Sequence, residues 1–255
     1  MSGTFLPEVL VLGGSGAVGQ GMVGALLEAG SAVVAVGRDP SRLRSLRRQF
    51  ADEVLDVIPA SVADDASAAD LAARLASRPR PLAGVIACLG SPLHRGRLLD
   101  CPLQDLRARF DRDVLPHLAA ARHLLPLLVQ ADLGGRYLMV GSPCGLRPWA
   151  GHGEKSVAAA AMRMLAQVLH EEAAQQGVHL QLLEVANPIP AAALGMRCSS
   201  HWPSALDVGR RAVALLDRRA PTAAIVIDHG GPVPIPSHTL HGQQLRWPWQ
   251  AGAAA

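Results

Sequence analysis

Apolar residues along the chain follow two alternating rhythms. Short, nearly continuous runs at Glu8–Leu12, Ala32–Val36, Val54–Pro59, Leu82–Leu89, Arg136–Val140, His179–Val185 and Ala223–Ile227 read as strands buried on both faces. Between them, apolar residues spaced by three and four predict helices over Gly19–Ala29, Ser41–Phe50, Ala66–Ala76, Leu103–Gln130, Ser156–Gln175 and Ala205–Leu216. Repeated βα units need crossover helices on both faces of a parallel sheet. The expected fold is therefore α/β: a doubly wound, Rossmann-type sheet of about seven strands in a single domain. The pattern spans residues 1–231, and residues 232–255 form a C-terminal tail of little periodicity.

Composition narrows the partners. Of the 255 residues 49% are apolar, chiefly Ala, Val and Leu, and only 3% are aromatic, too few for a base-stacking surface. A formal charge of +3, with no basic run longer than SRLRSLRR (41–48), predicts neither a nucleic-acid nor a membrane partner. No apolar run reaches the roughly 18 residues of a membrane span. The N-terminus enters a strand without a basic leader or cleavage site, and Cys88, Cys101, Cys144 and Cys198 lack metal or CxxC spacing. A cytoplasmic protein without a metal is the expectation. One imbalance matters for chemistry: of 24 Lys and Arg residues only Lys155 is lysine, and Tyr137 is the single tyrosine.

VLVLGGSGAVGQG (9–21) puts a glycine cluster between the first strand and the first helix. Such a turn lets the backbone approach a pyrophosphate and aims free helix N–H groups at the anion. Residues 1–231 thus read as a dinucleotide-binding domain, with Gly13, Ser15, Gly16, Val18 and Gly19 at the phosphates. The second strand ends Val36-Gly37-Arg38-Asp39. A glycine where NAD sites carry an acid, followed by Arg38, favours NADP over NAD, while Asp39 argues mildly the other way.

The order of these features resembles the short-chain dehydrogenase/reductase family over roughly residues 8–231. LGGSGAVG is similar to its TGxxxGxG turn and VGRDPSRL to its NADP-type second-strand end. SVADDAS (61–67) resembles the adenine-side segment through Val62, IACLG (86–90) keeps only Gly90 of NNAG, and VIDHGG (226–231) resembles the terminal strand. In that family a Ser orients the carbonyl, a Tyr-x-x-x-Lys pair supplies the acid/base, and an Asn supports a proton relay. LMVGSPCG (138–145) places Ser142 at the serine, and FDRDVLP (110–116) places Asp113 at the asparagine. Thirteen residues after Ser142, KSVAAAAMRMLAQVLHEE (155–172) follows the catalytic helix, with Lys155 for the tyrosine and Ala159 for the lysine. A register shifted by four would put Lys155 at the family lysine and Gly151 at the tyrosine. Neither register supplies a phenol.

Three functions fit these residues. In one, Lys155 donates the proton, Asp113 stabilises its charge and Ser142 binds a carbonyl or enone reduced by NADPH. In another, Lys155 and Asp113 form the base/acid pair of a dehydratase, isomerase or cyclase. In the third, the chain binds NADP or no cofactor and is not an enzyme. His152, Glu154 and Cys144 flank the site and read as surface or packing residues. The loop Asn187–Pro203, with Trp202 and Met196 its only large groups, suits a small-to-medium apolar substrate. The resemblance implies a homodimer or homotetramer paired through Leu103–Gln130 and Ser156–Gln175, the latter presenting small residues (Ala158–Ala161, Ala166, Ala173).

Overall fold

The computed structural model describes residues 7–129, 134–185, 203–216, 224–229, 239–240 and 243–244. Seven parallel strands form one sheet in the order β3-β2-β1-β4-β5-β6-β7. The strands are β1 Glu8–Leu12, β2 Ala32–Gly37, β3 Leu55–Pro59, β4 Leu82–Ala87, β5 Arg136–Gly141, β6 His179–Val185 and β7 Val226–His229. The helices are α1 Ala17–Glu28, α2 Pro40–Gln49, α3 Asp65–Ala76, α4 Leu103–Asp113, α5 Leu115–Val129, α6 Gly153–Ala174 and α7 Ala205–Leu216. Strand order reverses between β1 and β4, so a crevice opens at their carboxyl ends.

Alternation along each strand builds two cores. Leu10, Leu12, Val34, Val36 and Met139 face α3, α5 and α6 through Leu71, Leu124 and Leu169. Their neighbours Val9, Val11, Val33, Ala35 and Leu138 face α1 and α7 through Met22, Leu26, Val208 and Leu215. This is the doubly wound single domain that the alternating pattern predicts. Among the described residues no helix is long and apolar enough to cross a membrane.

The long helix expected over Leu103–Gln130 is instead two. α4 ends at Val114 (φ −119°), and α5 starts at Leu115 with Pro116 in its first turn. Proline at 116 has no N–H to bond back to α4, so the helical hydrogen-bond ladder is interrupted there. Asp113 thereby falls at the last turn of α4. Of the small residues of α6, Ala158, Ala159, Ala166 and Ala173 are buried within the domain, while Ala161 is half-buried and Ala160 exposed. The exposed face of the helix carries Val157, Met164 and Val168. The loop 187–202, most of the tail and the end of VIDHGG lie outside the described residues; within the tail, Thr239–Leu240 pairs antiparallel with Gln243–Gln244.

α1 and α7 meet backbone to backbone. A Cβ on Gly21 would lie 2.0 Å from the Ala205 carbonyl oxygen, and one on Gly209 would lie 2.2 Å from that of Gly21. No side chain larger than hydrogen fits at either position. The contact fixes α7 against the first βα unit.

Candidate active site

The crevice between β1 and β4 is a groove of about 280 Å³. Gly13, Ser15, Gly16, Arg38, Val62 and Gly90 all line it. Gly13 has φ +72°, and a Cβ there would stand 2.3 Å from the Cys88 carbonyl oxygen. Val18 and Gly19, also expected at the phosphates, do not line the groove. Val18 packs into the core, and Gly19 sits beneath the turn, where a Cβ would meet the Gly13 carbonyl. Arg42, on the first turn of α2, joins the groove and was not expected there.

These residues fit a dinucleotide. α2 and α3 begin with the side-chain caps Asp39 and Asp64, whereas α1 begins at Gly16 with no side-chain cap and no acid in its first turn. Its N–H groups therefore stay open to an anion. Asp39 is committed locally: Oδ1 accepts from the Ser41 N–H (2.8 Å), the Arg42 N–H (3.2 Å) and the Ser41 hydroxyl (2.7 Å). Those bonds hold its carboxyl below the ordinary carboxylate range. A side chain at Gly37 would meet Ser15 Oγ at 2.7 Å, so no acid fits there without displacing that serine.

Beside the groove, four charged side chains form one network. Lys155, on the first turn of α6, donates from Nζ to Asp113 Oδ2 at 2.9 Å. Arg109, one turn before Asp113 on α4 and fully buried, donates to the same oxygen at 3.3 Å. It also donates to Glu154 Oε1 at 2.8 Å, to the Pro92 carbonyl at 3.0 Å and to Ser91 Oγ. Ser91 Oγ in turn donates to Asp113 Oδ1 at 2.6 Å. Two cations thus balance two anions. Burial pushes the Asp113 carboxyl upward, but Lys155, Ser91 and Arg109 outweigh it and hold the group below the usual range. Burial likewise works against the Arg109 charge, and Glu154 with Asp113 overcomes it.

The network adjoins the groove at Gly90. A Cβ on Gly90 would be 3.9 Å from both Lys155 Nζ and Asp113 Oδ1. Ser142, at the end of β5, lies with its Oγ 3.1 Å from Cys144 Sγ, which approaches the Lys155 carbonyl at 3.8 Å. Ala159 is buried against Cys144 and Trp149. Tyr137 is sealed in the core with its hydroxyl unpartnered, and burial raises its pKa. That phenol does not line the groove. His117, at the start of α5, bonds the Leu89 carbonyl through Nε2 at 3.3 Å, and burial pushes its pKa down to about 4. It is therefore neutral.

Sequence reasoning named Lys155 and Asp113 but missed Ser91 and Arg109 and set Glu154 aside as surface. The spacing of Arg109 to Asp113, one helical turn, was the available signal.

An anion-ready turn at the switch point of a doubly wound sheet is the arrangement of a Rossmann-type α/β protein. Residues 7–187 match the family model described as short chain dehydrogenase, and the chain belongs to that family. No curated protein matches the sequence. Among solved structures, a short-chain type dehydrogenase/reductase from Mycobacterium ulcerans aligns with TM-score 0.79 at 19% identity, covering 88% of each chain. A short-chain oxidoreductase from Burkholderia thailandensis aligns at 0.75 and 23%, covering 88% of this chain and 92% of that one. The NADP active-site complex of Pseudomonas aeruginosa RhlG aligns at 0.76 and 20%, covering 89% and 97%.

Proposed function

We propose that this chain is an NADP(H)-dependent oxidoreductase acting on a carbonyl or enone of a small-to-medium apolar substrate. The observation that carries the proposal is the Lys155–Asp113 pair set against Gly90, on the wall of the dinucleotide groove. The open N-terminus of α1 would take the pyrophosphate. Arg38 and Arg42 would hold a 2′-phosphate, with Asp39 already spent on the α2 cap. When bound, the nicotinamide would supply the hydride. Ser142 Oγ–H would orient the substrate oxygen, and Lys155 Nζ–H would deliver the proton to it while Asp113 keeps the amine in place. Tyr137 takes no part, because its hydroxyl is buried elsewhere.

Thermal shift with both cofactors tests the first half. NADPH should stabilise the protein more than NADH, and Arg38→Ala should erase that difference; equal shifts in the parent protein would defeat the assignment. A panel of ketones and enones tests the second, following nicotinamide absorbance and product mass together. Lys155→Met should lower turnover at least about a hundredfold with NADPH binding little changed, since general acids contribute about that much. Undiminished turnover in that variant would remove Lys155 from the mechanism. Product without NADPH consumption would instead identify a non-redox lyase or isomerase.

One observation favours a second reading. The four charges balance, two cations against two anions, as they would in a purely structural network. A non-catalytic NADP-binding protein would bind NADPH and turn over nothing in the same panel.

The assembly proposed is a homodimer or homotetramer. Val157, Met164 and Val168 on α6 form an exposed apolar stripe at helical spacing, and Leu115 and Val129 are exposed singly on α5. Light scattering on the eluting peak should give two or four chain masses. A monomer at micromolar concentration would contradict it.

A further inference from the structure

We propose that α2, with Gln20 of α1, builds a second anion site outside the dinucleotide groove, and that it takes a diphosphate group between Arg42, Arg44 and Arg48.

The site is a groove of about 370 Å³ lined by Gln20, Ser41, Arg42, Arg44, Ser45 and Arg48. Among the described residues no carboxylate lines it. α2 buries Leu43 and Leu46 and leaves Arg42, Arg44 and Arg48 exposed. The helix carries four arginines and no acid, so no pair within it offsets their charge. Arg44 and Arg48 stand one turn apart, where like charges repel. Arg42 lies in the first turn, where the helix dipole disfavours a cation. Arg47 is committed to the helix end, donating to the carbonyls of Phe50 (2.9 Å) and Ala51 (2.8 Å). Exposed arginines on other helices sit on carboxylates instead: Arg74 is 3.8 Å from Asp70, Arg122 2.6 Å from Asp65 and Arg210 3.1 Å from Glu28. An anion in the groove supplies the countercharge that α2 lacks.

The lining selects that anion. Guanidinium groups match phosphate oxygens two at a time. Ser45 Oγ accepts from Arg48 Nη2 at 3.3 Å, so its own proton is left for a phosphate oxygen. Gln20 Nε2 donates to the Ser15 carbonyl at 3.2 Å and keeps a second N–H. One phosphate group carries up to about two charges near neutral pH, fewer than three guanidinium groups balance, and a diphosphate supplies the rest. No aromatic ring lines the groove, so no base stacks there, and the ligand is a small anion rather than a nucleic-acid strand.

Arg42 lines this groove and the dinucleotide groove alike. A diphosphate and a cofactor 2′-phosphate would then draw on one guanidinium, and each would weaken the other. That consequence rests on reading Arg42 as a 2′-phosphate ligand; the site itself does not.

Calorimetry with inorganic pyrophosphate, in magnesium-free buffer of fixed ionic strength and with saturating NADH on the α1 turn, tests the site. Arg44→Gln with Arg48→Gln should weaken binding at least about tenfold, the scale of a lost charge-assisted contact. Arg74→Gln with Arg122→Gln removes the same charge elsewhere and should leave binding nearly unchanged. No pyrophosphate binding by the parent protein, or equal losses in the two double variants, overturns the proposal. If the chain takes up no NADH, the same comparison on the cofactor-free protein decides. ADP in place of pyrophosphate separates the sources: tighter binding of ADP identifies a nucleotide's diphosphate, tighter binding of pyrophosphate a free anion. Exchanging NADH for NADPH should weaken pyrophosphate binding about fivefold or more. Binding that depends on Arg44 and Arg48 but is equal with either cofactor keeps the site and removes Arg42 from the 2′-phosphate reading.

Discussion

Replacing Arg109 with alanine is expected to destabilise the protein by about 3–5 kcal/mol, the largest effect of any single substitution at the site. The side chain is fully buried and touches two carboxylates. Its removal leaves Glu154 only the weaker contacts of Cys101 (3.9 Å) and His94 (3.8 Å), and leaves Asp113 with Lys155 and Ser91. The penalty comes from the uncompensated anions, so it should shrink when an anion is removed too. Arg109→Ala in a Glu154→Ala background should therefore cost clearly less than Arg109→Ala alone. Urea unfolding of the four proteins in this cycle measures the coupling. A loss below about 1 kcal/mol for Arg109→Ala, the level of an exposed ion pair, would contradict the buried network.

Gly13→Ala should weaken NADPH binding at least tenfold and destabilise the protein by roughly 2–4 kcal/mol. Two effects combine there. The positive φ of +72° disfavours any side chain, and the new methyl would strike the Cys88 carbonyl, which belongs to the backbone and cannot swing away. Gly30 separates the two. It has φ +75° but nothing within 4 Å of an added Cβ, so Gly30→Ala should cost only the conformational share, about 1 kcal/mol. Equal losses at the two positions would show that close approach to Cys88 plays no part.

The sheet was legible because its strands are buried on both faces and written as unbroken apolar runs. Glu8–Leu12 and His179–Val185 match the observed strands at both ends. The break between α4 and α5 was harder to see. Apolar spacing continues across Pro116, and a proline in a helix's first turn disturbs the pattern no more than one just past an end. Pro126, inside α5, shows that a proline alone does not mark a boundary here. At the site, the glycine turn was readable because chain geometry demands glycine at Gly13. Arg109 was not, since a buried arginine looks like a solvated one in a chain with so many. Only the fold brings Glu154 and Ser91 to it from elements 45 and 18 residues away. The small residues of α6 were legible, but alanines permit close packing without saying against what: four are buried within the domain and Ala160 is exposed.

The seam where α1 meets α7 has a consequence for how this chain can change over generations. With no side chain between the two helices, a mutation at Gly21 or Gly209 meets main chain, and no single second mutation nearby can make room for it. The charged network is the opposite case, since its members are long side chains whose partners can be exchanged in pairs. A chain under such constraints tolerates exchange in the charged network more readily than at the helix seam.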